Sequence, residues 1–274
     1  MSGTSAATGL HDHLEDRAFS VVQVPGRPGK PRSSGLTVVA DKGLGMHQTE
    51  DLLEVSGDFV DWVKVASSSA RLYRPEVLRR KIAAYATAGV QAVLTGDFLE
   101  LAVRQGVADA VYAQARELGF AAVEVASAQT VVAVQDKAAL VRRAAGHGLR
   151  VFAEVGRKGE ELRRAHGGWL ATQAEVLLAS GAHQVLVQGE GIVEGVEAID
   201  EDVLLTLAAR IPSEMTVFQA KDTRAQAWFI GNLGPHTSMD VDIDAAVPLE
   251  LMRRGVRHRG LLGLVATAPP ATGG

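Results

Sequence analysis

The sequence contains no cysteine, which excludes a disulfide scaffold, a thiolate metal site and a cysteine nucleophile. It also lacks a charge bias: 28 basic residues stand against 32 acidic ones, for a net charge of −4. No global basic field therefore invites nucleic acid or an anionic membrane as partner. Long apolar runs are missing. Stretches such as Val38-Val39-Ala40 fall far short of the ~20 residues that a membrane helix needs. Met1 to His11 has neither a cationic n-region nor an apolar h-region, so the expectation is a cytoplasmic protein without a secretory signal. Glycine-rich phosphate loops are absent too, because Gly43-Leu44-Gly45 is a lone GxG and not a dinucleotide or P-loop fingerprint.

What is present is an ordinary globular balance, 47 % hydrophobic and 22 % charged over 274 residues. That length suits one large α/β domain or two smaller ones. Residues 1–34 stand apart as a flexible N-terminal arm with a linker, because Pro25 to Gly35 packs three prolines and three glycines into eleven residues. A body over 35–264 follows, then a frayed tail over 265–274. Within the body, short Val-rich runs read as parallel strands buried on both faces. They are Leu36–Ala40, Val60–Ala66, Gln91–Leu94, Ala121–Ala126, Arg150–Val155, Gln184–Gln188, Thr216–Ala220 and the weaker Thr237–Val241. Helical stretches lie between them, among them Pro75–Ala88, Val107–Leu118, Lys137–Gly146, Trp169–Ser180, Asp202–Ala209 and Ala225–Leu233. Several end in glycine just before the next strand, as in Ala88-Gly89-Val90 and Leu118-Gly119-Phe120, the residue that tolerates a left-handed helix end. Eight strand–helix repeats predict a single TIM (β/α)8 barrel, ahead of a doubly wound open sheet.

In such a barrel the reactive groups gather at the C-terminal strand ends. Those ends carry Asp41-Lys42, Lys64, Glu124, Glu154 to Arg157-Lys158, Gln188-Gly189-Glu190 and Gln219-Ala220-Lys221. Charged side chains inside apolar strands are costly unless they are paired or face a wet mouth. Four lysines and an arginine against a few carboxylates suit a small anionic substrate. Lys64 alternates with Val63 and Val65 toward the interior, either as a functional ammonium or in an ion pair with Asp41 or Glu124. Ser67 and Ser68 offer hydroxyls for an anion, or form a plain turn. The histidines show no zinc spacing; His236, beside the last strand, is the one retained as a mouth residue. Arg253 to Arg259 is a basic cluster that reads as a solvated helix end or a contact for phosphate or another subunit.

The chain resembles the phosphosulfolactate synthase family over about residues 30 to 260. The similarity is carried by Gly35-Leu36-Thr37-Val38-Val39-Ala40-Asp41-Lys42-Gly43-Leu44-Gly45, Glu50 to Lys64, Leu118-Gly119-Phe120 with Val123-Glu124-Val125, and Glu154-Val155-Gly156-Arg157-Lys158. Ala225 to Ile230, Gly234-Pro235 and Leu251 to Arg257 extend it. The resemblance implies a TIM barrel, assembled as a homo-oligomer, that adds sulfite to phosphoenolpyruvate with Mg²⁺ to give (2R)-phospho-3-sulfolactate. It implies catalytic roles for Lys158, as the acid that protonates C2, and for Lys42, Lys64 and Glu154. Substrate contacts would come from Asp41, Ser67, Ser68, Arg157, Gln188, Gln219, Lys221 and His236, and metal contacts from Asp41, Glu124 and Glu190. Departures are concentrated at the mouth. Gln188 and Gln219 stand where the family carries carboxylates, which weakens the expected Mg²⁺ shell. Asp240 places an acid where the family binds phosphate. Three readings follow: an authentic phosphosulfolactate synthase, a divergent synthase or lyase acting on a related enol or unsaturated acid, and a non-catalytic stress-related relative.

Overall fold

The computed structural model describes residues 14–22, 24–66, 68–127, 129–156 and 167–257. Eight parallel strands close into a barrel in sequence order: β1 Thr37–Asp41, β2 Trp62–Val65, β3 Gln91–Leu94, β4 Ala122–Val125, β5 Arg150–Val155, β6 Gln184–Val187, β7 Thr216–Gln219 and β8 Ser238–Val241. Closure is made by β8 against β1, with Val38 opposite Asp240. Helices occupy the connections: α1 Met46–Ser56, α2 Pro75–Thr87, α3 Gly96–Arg104, α4 Ala108–Leu118, α5 Val134–Gly146, α6 Gly167–Ala179, α7 Glu201–Arg210, α8 Thr223–Leu233 and α9 Ala246–Arg253. Every predicted strand, including the weak eighth, is a barrel strand.

The two-residue period of the strands sorts their side chains into two cores. One set, including Val39, Val63, Val65, Val123, Val151 and Val185, points outward and packs under the helices. The other, Leu36, Val38, Trp62, Val93, Ala122, Phe152, Leu186 and Val217, fills the barrel axis, with Trp62 and Phe152 edge to face at 5.0 Å. This apolar plug divides the barrel. Polar interior residues lie above it, at the C-terminal strand ends, and others close the N-terminal end below.

The N-terminal closure revises two expectations. The Pro/Gly-rich stretch is tied down from Val24 to Gly35: Arg27 is buried and ion-paired with Glu250, Lys30 donates to the Gly57 carbonyl at 2.6 Å, and Arg32 pairs with Asp61 at 3.1 Å. Gly35 adopts φ +65°, and a Cβ there would lie 2.8 Å from the Arg27 guanidinium. That left-handed backbone conformation is what favours glycine here. Arg253 and Arg254 form no solvated cluster, since both are fully buried. Arg253 donates to the carbonyls of Gly35, Leu36 and Thr237 and to the Thr37 hydroxyl. Charge patterning alone reads such arginines as surface, whereas here Arg253 adds donors to backbone carbonyls at the N-terminal entrance of the barrel and Arg254 pairs with Glu250. Residues 1–13 and 258–274, with the expected C-terminal tail, lie outside the described residues.

Candidate active site

Above the plug, the interior positions continue as a polar layer. Parity along each strand decides which side chains enter it: Ala40, Lys64, Glu124, Glu154, Gln188, Gln219 and Asp240 line a cavity of about 480 Å³. Lys42, Ala66, Thr95, Asp97, Gln129, Lys221 and Asp242 add its rim. The bowl thus brings together seven of the sequence-predicted residues: Lys42, Lys64, Glu124, Glu154, Gln188, Gln219 and Lys221.

Its electrostatic centre is Asp240, which accepts from Lys64 Nζ at 2.8 Å and from Lys221 Nζ at 2.7 Å. Lys64 also pairs with Glu124 at 3.1 Å, so its ion-pair partners are Glu124 and Asp240 and not Asp41. Burial opposes the Lys64 charge, yet Asp240 and Glu124 together outweigh that penalty and hold its pKa above the ordinary lysine value. Burial also works against the Asp240 carboxylate, but Lys221 and Lys64 bring its pKa down to about 2. Asp240, read from the sequence as repelling an anion, is therefore neutralised by two lysines. At the rim, Lys42 pairs with Asp242 at 3.3 Å, and Ser68 donates to Asp97 at 3.1 Å.

These shifts fix a stability window. A carboxyl whose folded pKa is depressed contributes above its ordinary pKa of ~3.9 and loses that contribution as the pH falls toward the folded value. A lysine whose folded pKa is raised contributes fully below ~10.4 and loses it only above. The Lys64–Asp240 pair is accordingly expected to persist from about pH 4 to about pH 10. Thermal melts of the wild type and Asp240→Asn should differ by a constant amount in that window and converge as pH drops from 4 toward 2. Convergence already at pH 6 would contradict this pairing.

Three predicted site residues are placed elsewhere. Asp41 has odd parity in β1 and points outward: it pairs with Lys81, accepts from the Tyr85 hydroxyl at 2.9 Å and caps the Gly43 and Leu44 amides. It holds the β1–α1 turn that carries Lys42 and does not line the bowl. Glu190 is exposed on the loop after β6 and does not line the cavity. His236 precedes β8 and therefore sits at the opposite, N-terminal end, where its carbonyl accepts from Gly35; burial, then Arg27 and Arg253, lower its pKa. Lys158, Arg157 and Ser67 lie outside the described residues.

The carboxylates are more numerous than the sequence reading has them, while its fourth lysine and its arginine, Lys158 and Arg157, lie outside the described residues. Among the described lining residues, three lysines (Lys42, Lys64, Lys221) face five carboxylates (Asp97, Glu124, Glu154, Asp240, Asp242). The expected Mg²⁺ set of Asp41, Glu124 and Glu190 does not assemble, and among the described residues no three His or carboxylate groups converge as a metal shell. Asp240 and Glu124 already serve ammonium groups, so the described donors do not fit a divalent ion well.

Sequence reasoning missed Glu194. The turn after β6 folds so that Gly189 O accepts from the amides of Ile192, Val193 and Glu194. Glu194 then accepts from Gln219 Nε2 at 2.8 Å and from the Lys221 amide at 2.7 Å. A Cβ on Gly189 would lie 2.7 Å from Gln219 O and 3.0 Å from Glu194 Oε1, so glycine is what permits this approach. Glu190 and Glu194 both follow β6, and no local pattern distinguishes the one that turns back to β7.

The profile of the family described as (2R)-phospho-3-sulfolactate synthase (ComA) matches residues 25–259. The chain belongs to this family. Phosphosulfolactate synthase from Methanothermobacter thermautotrophicus is 30 % identical over 245 residues, covering 85 % of this chain and 93 % of that one. The protein HEAT-STRESS-ASSOCIATED 32 of Arabidopsis thaliana is 27 % identical over 261 residues, covering 85 % and 90 %. Among solved structures, 3-hexulose-6-phosphate synthase from Salmonella typhimurium is similar with a TM-score of 0.52 at 13 % identity, over 85 % of this chain and 95 % of that one. That similarity concerns the barrel alone. This member of the phosphosulfolactate synthase family is thus an enzyme-family barrel with its polar residues gathered at the C-terminal end. Among the described residues, no helix is long and apolar enough to cross a membrane.

Proposed function

We propose that this chain is a cytoplasmic synthase of the carbon–sulfur lyase type, which adds a nucleophile to phosphoenolpyruvate or a related small enol or unsaturated acid. The nucleophile is sulfite in the family reaction; the bowl of this chain differs from the family pattern at Gln188, Gln219 and Asp240. The observation that carries the reading is the Lys64–Asp240–Lys221 chain, with Glu124, at the floor of one bowl.

The chemistry follows from these charges. Attack of the nucleophile at C3 forms the new bond and drives the C2–C3 electron pair onto C2 and its carboxylate. Two negative charges then share the carboxylate end of the adduct, beside those of its phosphate and of the added group. Lys64 and Lys221, held by Asp240 at a fixed separation from it, need no reorganisation to stabilise that charge. Lys64 acts as a fixed cation and not as the acid, because its neighbours keep its proton bound. Protonation at C2 falls to Lys158, the residue to which the family resemblance gives that role.

Incubation with phosphoenolpyruvate and sulfite, then with a panel of other small nucleophiles, tests the reading by phosphorus NMR of the products. Lys64→Met is expected to lower kcat/KM by roughly 10²-fold, in the range for loss of one preorganised electrostatic group. Lys158→Ala is expected to abolish turnover with little change in melting temperature. Undiminished turnover in Lys64→Met would overturn the role given to the bowl. A large drop in the stability of Lys158→Ala would mark that lysine as structural.

A further inference from the structure

The two glutamines of the bowl have orientations that their neighbours fix without ambiguity. Gln188, 1 % exposed at the end of β6, accepts the Gly189 amide on Oε1 at 3.0 Å. A backbone N–H only donates, so the other end of this side chain must be the amino group. That group, Nε2, is buried and makes no hydrogen bond among the described residues. Gln219 is fixed in the opposite sense. Its Nε2 donates to the Glu194 carboxylate at 2.8 Å, and a carboxylate only accepts. Its Oε1 is therefore the free end, and among the described residues nothing donates to it. Gln188 directly follows β6, Gln219 ends the neighbouring β7, and both line the same cavity.

A buried amino group without a partner is destabilising in the empty bowl, and a ligand that accepts its hydrogen removes that penalty. The neighbouring carbonyl demands the complementary group. We infer that the bowl selects a small acid bearing a hydroxyl or amino group, which accepts from Gln188 and donates to Gln219, with Glu194 as the positioning residue that sets the polarity of Gln219. A bare sulfonate or phosphate oxygen satisfies Gln188 but offers no hydrogen to Gln219, so a fully deprotonated group is disfavoured at this point. Lys64 and Lys221 remain the contacts for the anionic part of the same molecule. This inference rests on the proposed function, because it assumes that the bowl holds the substrate.

A matched pair of probes tests it by calorimetry on the full chain: 2-phosphoglycerate, and 2-phospholactate, which lacks only the C3 hydroxyl. The wild type is expected to favour the hydroxylated acid by about tenfold, the scale of one well-made hydrogen bond in a buried site. Gln188→Leu and Gln219→Leu should each bring the ratio close to one while leaving 2-phospholactate binding within about threefold, a change too small to signal a lost hydrogen bond. Glu194→Ala frees Gln219 to turn and should also lower the ratio. Glu194→Asp keeps a carboxylate to accept from Gln219 and should retain more of the ratio than Glu194→Ala, a response that mere unfolding does not give. Equal wild-type affinity for the two acids would overturn this inference alone. Binding of neither acid would overturn the proposed function, and the inference with it.

Discussion

Asp240→Ala is expected to destabilise the protein by roughly 3–5 kcal/mol, the cost of removing one partner from a buried ion pair. The carboxylate is 1 % exposed and serves two ammonium groups at once. Its loss leaves Lys221 without its carboxylate at 2.7 Å, and leaves Lys64 with Glu124 only. Two cations then repel across the bowl, which adds to the desolvation already incurred by Lys64. Turnover should fall by about 10²-fold as well, because the lysines lose the anchor that aims them. Asp240→Asn keeps one acceptor oxygen and is expected to lose less on both counts. Urea unfolding and kcat/KM for the pair of variants check this. An Asp240→Ala protein as stable as the wild type would show that the lysines do not depend on the carboxylate.

Arg253→Ala should produce a stability loss of similar size, roughly 3–5 kcal/mol, by a different route and at the other end of the barrel. The guanidinium donates four hydrogen bonds of 2.7 to 3.1 Å, three of them to carbonyls at the β1 and β8 entrances. Alanine removes the Arg253 donor from the Thr237 carbonyl and one donor each from Gly35 and Leu36, whose carbonyls keep Arg27 and the Met239 amide, and it opens a void beside them. Because the apolar plug of Trp62, Phe152 and their neighbours separates this end from the bowl, kcat per folded molecule is expected to stay near the wild-type value. Chemical denaturation beside active-site titration separates the two effects. A fall in kcat without a fall in stability would mean that the N-terminal closure reaches the active site.

The contrast between these two variants shows how far local reasoning carries. Strand and helix positions follow from hydrophobic periodicity and glycine punctuation, both short-range properties, and hence the barrel with its polar C-terminal mouth is legible in the chain. Strand parity is legible too: Lys64 between Val63 and Val65 points inward, as expected. The same rule, applied to Asp41, turns it outward to Lys81 and Tyr85, a consequence overlooked when its chemistry and not its register is read. His236 is misplaced for a related reason: it precedes its strand, so it belongs to the entrance and not the exit of the barrel.

Alternation of apolar and polar residues, the capping glycines and the family motifs are contained in the chain, and they suffice for eight strands, their order and the family. Which charges meet is not contained there. Asp240 reaches Lys64 across 176 positions and Glu194 reaches Gln219 across 25, and a carboxylate looks the same in sequence whether it faces water, a metal or a lysine. Closing the barrel brings those distant groups within hydrogen-bond range, and burial makes their pairing obligatory, since an unpaired charge there is far more costly than at the surface.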